Sequence, residues 1–200
     1  MSLNKNILEE LYNVQKLSMA EMAARLGCSP NKIVYWMVKH GIQRRNISEA
    51  IYQWRNADGN PFKIHLPESE VERELFFIAI GLYVGEGKKR TVHEVSLANT
   101  NPQIVRIFLR FLREICGVDE DRLWAWINIF DDAHLVEAQT YWEQVTGLSR
   151  ASFYKPIVRP RRGGSYLNLS QYGTVTVGVS NTKLCEIVKA WCQEYLKQHS

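Results

Sequence analysis

Residues 79–88 read Ala-Ile-Gly-Leu-Tyr-Val-Gly-Glu-Gly-Lys, an apolar helical run that stops at a carboxylate set between two glycines. The stop breaks an electrostatic rule. Unpaired carbonyls give a helix C-terminus partial negative charge, so an acid in the last turn is disfavoured and a cation is favoured. Glu86 is out of place there unless something positive binds it. Gly81 and Gly85 stand four apart on one face and would let a second helix approach almost backbone to backbone. Gly87 is expected to turn left-handed and end the helix. Two such helices packed together would bring two Glu86 carboxylates beside Lys88, Lys89 and Arg90. Paired acids among cations point to a divalent metal held over a phosphate backbone.

Blander explanations compete. An ordinary buried helix with a glycine cap accounts for everything but Glu86. Gly85-Glu86-Gly87-Lys88 invites a phosphate-loop reading, but a Walker loop needs glycine where Leu82 stands and Ser or Thr where Lys89 stands. A membrane span is excluded for this run, because the uncharged stretch from Leu75 to Gly85 is about half the ~20 residues required.

The stretch resembles the signature of the LAGLIDADG homing endonucleases. Ala79 to Gly87 keeps both motif glycines as Gly81 and Gly87, keeps Leu82, and keeps an acid at the eighth position as Glu86. It departs at Val84, where the family often has Asp, and at Gly85, where it often has Ala. More loosely, the likeness runs from about residue 70 to the C-terminus, through a strand ending at Asn99, a helix opening Asn101-Pro102 and the Tyr141-Trp142 helix. The resemblance implies a sequence-specific endonuclease that cuts double-stranded DNA, with Glu86 as catalytic acid holding Mg²⁺ or another divalent ion. Lys88, or a strand lysine such as Lys155, would assist by neutralising phosphate charge. Such enzymes place two motif helices side by side, and this chain carries one copy. A homodimer with its interface on Gly81 and Gly85 is therefore expected. The runner-up is a transcriptional regulator on the same fold that binds DNA without cutting it. An RNA-binding or splicing-assisting protein is a third class.

Upstream, residues 1–45 read as a small all-α domain. Ile7, Leu8, Leu11 and Val14 give a helical period between Leu3 and Gln15. Ser18 with Glu21 forms a capping box for a second helix, and Gly27 ends it. Ser29-Pro30 opens a third helix that runs to His40 and closes at Gly41. The spacing closely resembles a helix-turn-helix. Ile33 and Met37 would face inward, leaving Asn31, Lys32, Tyr35 and Lys39 outward toward a major groove. Arg44 and Arg45 follow as phosphate contacts. The competing reading is a protein-interaction module.

Residues 46–66 form the connecting segment, with a short helix from Ser48 to Asn56 and a turn cluster at Asp58-Gly59-Asn60-Pro61 that marks the boundary. Residues 67–200 alternate helix and strand signals after a Ser69 cap. Strands are expected at Val95–Asn99, Leu123–Phe130, Phe153–Arg161 and Thr174–Val179, with helices opened by Asn101-Pro102, Asp131-Asp132 and Asn181. The fold class is α+β, a helix-turn-helix domain followed by a LAGLIDADG-like domain whose antiparallel sheet faces DNA. Side chains alternate along a strand, so Arg122, Trp124, Trp126 and Asn128 share one face, and Lys155, Arg159 and Arg161 share another. Core packing is the competing reading for both tryptophans. Pro156 and Pro160 put the third strand at an edge.

Net charge is only +4, and its distribution says more than the total. No acid occurs from Gln144 to Cys185, whereas Arg150, Lys155, Arg159, Arg161, Arg162 and Lys183 all fall there. With Lys89 and Arg90, the strand arginines Arg159, Arg161 and Arg162 make a candidate DNA surface; a plain solvated face is the alternative. Cys28, Cys116, Cys185 and Cys192 show no metal or disulfide spacing and read as reduced thiols. The absence of a secretory signal pattern implies a cytoplasmic location. Neither a membrane nor a small-molecule cofactor is expected.

Overall fold

The structure is a computed structural model and describes residues 2–160 and 170–199. The chain forms two compact units, one ending at Asn60 and the other beginning at Pro61. No helix among the described residues is long and apolar enough to cross a membrane.

The first unit begins with α1 (Lys5–Glu9), which runs directly into a π-turn over Glu10–Val14. That wide turn shifts the helical phase. Leu8, Leu11 and Tyr12 are buried in consequence, while Ile7 and Val14 of the expected stripe are exposed. Helix α2 (Met19–Arg25) carries the capping box anticipated at Ser18 and Glu21. Helix α3 (Pro30–Lys39) follows, capped by the Ser29 side chain with Pro30 in its first turn. Gly27 and Gly41 leave α2 and α3 at positive φ, where L side chains are strained. Ile33 and Met37 join Leu8, Tyr12 and Met22 in one small core, with Trp36 packed at its margin. Helix α4 (Ile47–Arg55), capped by Asn46, belongs to this unit, and its Trp54 is 81% exposed.

In the second unit, residues 61–65 do not run free. Lys63 N–H donates to Gly117 carbonyl and His65 N–H to Ile115 carbonyl, and Phe62 bridges Val118. Then come α5 (Glu70–Glu86), β1 (Val95–Asn99), α6 (Pro102–Arg110, prolonged by a π-turn over Phe111–Ile115), β2 (Leu123–Phe130), α7 (Leu135–Thr146), β3 (Ile157–Arg159), β4 (Thr174–Val179) and α8 (Thr182–His199). The Ser69 capping box with Glu72 starts α5, and Asn101 and Pro102 start α6. Helix α7 opens at His134 rather than at Asp131-Asp132. Asp131 N–H instead donates to Arg159 carbonyl at the sheet margin, which delays the helix.

The strand order is β1-β4-β2-β3. β4 is antiparallel to both β1 and β2, but β3 runs parallel to β2, so the sheet is mixed and not the antiparallel sheet expected. The cause is the connection. A helix, α7, carries the chain from β2 to β3, and a crossover of that kind returns the strand in the same direction. β3 is confined to three residues between Pro156 and Pro160 and lies at the edge, since proline cannot donate to a ladder. Leu97, Ala125, Ile127, Val175 and Val177 on one sheet face meet Ala79, Tyr83, Phe108 and Trp142 from the helices in a single core. Trp142 is fully buried and its indole N–H donates to Tyr172 carbonyl at 2.8 Å.

Candidate functional site

Helix α3 presents Asn31, Tyr35, Val38 and Lys39 to solvent, with Lys32 half-buried at its start. Lys39 lies with its ammonium 4.7 Å from the centre of the Trp36 ring, and His40 also stacks on that indole. Its charge is thereby held close to the helix surface rather than swinging free. Arg44 is exposed, but Arg45 is not available in the same way. Its guanidinium stacks 4.1 Å from the Tyr12 ring centre, donates to the carbonyls of Lys16 and Leu17, and bonds Gln53. Tyr12 hydroxyl also accepts from Arg45 N–H. Arg45 therefore ties the segment after α3 to the π-turn, to the loop that follows it and to α4, a structural use that its position in the sequence did not disclose.

The second candidate surface is the end of α5. Glu86 is exposed in the last helical turn, and among the described residues no hydrogen bond or ion pair reaches it. Gly87 does not turn left-handed as expected; it is extended, with φ −70° and ψ 150°. From there the chain joins the sheet. Gly87 bridges Leu97, and Lys88 N–H donates to Ser96 carbonyl at 3.0 Å. A glycine is required for a different reason than left-handedness: a Cβ at position 87 would run into the ring and carbonyl oxygen of Tyr83.

The three cations after Glu86 are disposed differently from one another. Lys88 is paired with Glu94 at 2.6 Å. The Lys89 ammonium donates to Val84 carbonyl, where it satisfies one of the free acceptors of the helix end. Arg90 is exposed. Glu94 was not legible as a partner, because it is six residues away and only the loop between brings it back. Tyr83 is completely buried, stacked on Phe108, and its hydroxyl has no partner. Burial and the nearby Cys185, Cys192 and Glu94 push its pKa well above the usual phenol range. Burial also pushes the Cys192 thiol up to about 11.

Lys155 is not brought to Glu86. One row of paired residues, Phe153, Ala125, Val177, Leu97 and Gly87, crosses the whole sheet. With strands about 4.8 Å apart, its four steps separate the two margins by roughly 19 Å. Lys155 stands two residues past Phe153 at one margin and Glu86 stands beside Gly87 at the other. Within one chain they cannot serve the same phosphate. The register does put Arg159 beside Phe130, on the face that carries Trp126 and Asn128. That face is only partly open. Ser96 and Thr176 are buried, and Trp124 is packed 5.8 Å from Tyr154 with its indole N–H donating to Ser180. Trp124 is thus buried against Tyr154 on the face opposite the main core, while Trp126 is half-buried. Arg161 and Arg162 lie outside the described residues.

Gly81 and Gly85 lie on a face of α5 with room beside it. A Cβ at Gly85 would meet nothing within 4 Å, and one at Gly81 would meet only the Tyr195 hydroxyl, at 4.0 Å. Val71 and Ile78 on the same helix are 64% and 51% exposed, and Phe77 of α5 is exposed as well. Among the described residues no three His, Cys, Asp or Glu side chains come together as a metal site. No family model, no curated protein and no solved structure matches the chain.

Proposed function

We propose that the protein is a sequence-specific, divalent-metal-dependent endonuclease that cuts double-stranded DNA as a homodimer. Its C-terminal unit follows the LAGLIDADG plan, and α2 and α3 act as a helix-turn-helix. Glu86 carries the reading. It is an exposed carboxylate at a helix end that disfavours it, with three cations in the next four residues and none of them touching it. An uncompensated acid there makes physical sense as a ligand.

The donor chemistry fits a hard cation. Mg²⁺ typically takes one or two carboxylates together with phosphate oxygens and water, so a single acid per chain is half of a workable set. Glu86 from each protomer would complete it where the two α5 helices touch. Bound there, the ion supplies Lewis-acid charge at the scissile phosphate. The exposed apolar stripe of Val71 and Ile78, continuing into Gly81 and Gly85, supports an interface on this face. Arg90 and Arg159 stand exposed to take backbone phosphates, and Asn31, Lys32, Tyr35, Lys39 and Arg44 form the groove-reading side of the N-terminal unit. The alternative, a regulator that binds DNA without cutting, is favoured by one observation: among the described residues no three His, Cys, Asp or Glu side chains gather as a metal site.

Incubation with a plasmid library and Mg²⁺, followed by sequencing of new ends, separates the two. Defined double-strand ends support the nuclease; fragments bound but uncut support the regulator. Two variants examine the parts. Gly85→Leu is expected to fold, because a Cβ there meets nothing within 4 Å, yet to be monomeric by light scattering; a persistent dimer removes the proposed interface. Lys32→Ala combined with Lys39→Ala is expected to lower the log–log salt slope of DNA affinity by about two, one for each lost phosphate contact. An unchanged slope takes α3 off the DNA.

A further inference from the structure

We infer that Glu94 is a positioning residue for this acidic site: by holding Lys88, it keeps the Glu86 carboxylate from being neutralised and leaves it open to an external cation. The inference rests on the metal-dependent reading above.

Gly87, extended, alone separates Lys88 from Glu86, the acid nearest to it along the chain. Lys88 pairs with Glu94 instead, at 2.6 Å. The difference lies in how firmly each acid is held. Glu86 sits on an exposed helix end, whereas the Glu94 side chain is only 20% exposed and accepts from Ser96 hydroxyl at 3.4 Å. The loop that returns Glu94 to Lys88 is tied at its neck and from behind. Thr91 hydroxyl lies 3.3 Å from the carbonyl oxygens of both Lys88 and Glu94. Helix α8 contributes Lys189, whose ammonium donates to Thr91 carbonyl, and Cys185, whose thiol reaches the carbonyls of Thr91 and Glu94. Glu94 is thus the fixed partner and Lys88 the side chain that it fixes. With Lys89 drawn to Val84 carbonyl, both lysines that follow Glu86 are turned to other acceptors. Remove the charge at position 94 and the acid nearest to Lys88 along the chain is Glu86.

Two measurements on the full-length protein test this. Zero-length carbodiimide coupling with peptide mapping reports which carboxylate Lys88 touches, and electron paramagnetic resonance of free Mn²⁺ reports cation affinity. Wild type is expected to couple Lys88 to Glu94. Glu94→Gln is expected to couple Lys88 to Glu86 and to lose about threefold or more in Mn²⁺ affinity, and adding Lys88→Met should restore that affinity. A Glu94→Gln protein that shows neither change overturns the inference. So does a double variant as weak as Glu94→Gln, which would make Glu94 itself a ligand. Should Glu94→Gln not fold, Lys88→Met alone keeps the comparison: equal or tighter Mn²⁺ binding supports the inference and weaker binding overturns it. Failure of the parent reading looks different. Glu86→Gln binding Mn²⁺ as wild type does removes the metal site, and this inference falls with it.

Discussion

Replacing Glu86 by Gln is expected to abolish Mg²⁺-dependent DNA cutting, a loss on the order of a thousandfold or more, as for removal of a principal charge-stabilising group. DNA binding should survive or tighten. Glutamine has nearly the same shape, so it removes charge and little else, and the exposed native carboxylate takes part in no hydrogen bond or ion pair among the described residues. Near a phosphate backbone the wild-type acid repels unless a cation lies between them. A neutral side chain relieves that repulsion and at the same time discards the ligand. Cleavage rate in Mg²⁺ and affinity without divalent ions, measured on one target, should therefore move in opposite directions or independently. If both fall together, Glu86 matters for binding or folding rather than for the metal. If cutting persists, the role given to Glu86 is wrong.

Gly87→Ala is expected to destabilise the C-terminal unit by about 1–3 kcal/mol, the usual range for forcing an extra carbon into a packed core. The added methyl would overlap both the Tyr83 ring and the Tyr83 carbonyl oxygen. Neither yields easily. The carbonyl accepts from Gly87 N–H in the last turn of α5, and the ring is fully buried in a parallel stack on Phe108, 6.0 Å between centres. Relief would come from breaking the pairing of Gly87 with Leu97, which would move Glu86. A lower denaturation midpoint and weaker Mn²⁺ binding should thus appear together. The contrast is Gly85, two residues earlier, where an added Cβ has nothing within 4 Å. An unchanged midpoint for Gly87→Ala would mean that α5 ends differently from the geometry described.

Much of the local structure was written in short-range signals. Ser18 with Glu21, Ser29 before Pro30, Ser69 with Glu72 and Asn101 before Pro102 each start a helix where they stand, because a cap bonds only its own first turn. Alternation along β2 likewise sorted Leu123, Ala125, Ile127 and Ile129 to the core. Errors fell where the deciding partner is distant in sequence. The parallel direction of β3, the extended Gly87 and the inward turn of Arg45 each depend on a strand, ring or carbonyl that local pattern does not name. The π-turn after α1, which turned Ile7 and Val14 outward, is a different kind of miss, since a single wide turn leaves almost no compositional trace.

The chain by itself determined where its helices begin, which strand faces are apolar, and that an acid occupies a helix end that repels it. These follow from interactions within a turn or between alternate residues, and such interactions travel with the sequence. Tertiary structure alone decided that Lys88 turns to Glu94, that Lys155 lies a sheet's width from Glu86, and that a methyl at position 87 has nowhere to go. Those outcomes depend on which backbone segments pair across the sheet, and pairing is settled by the packing of the whole core.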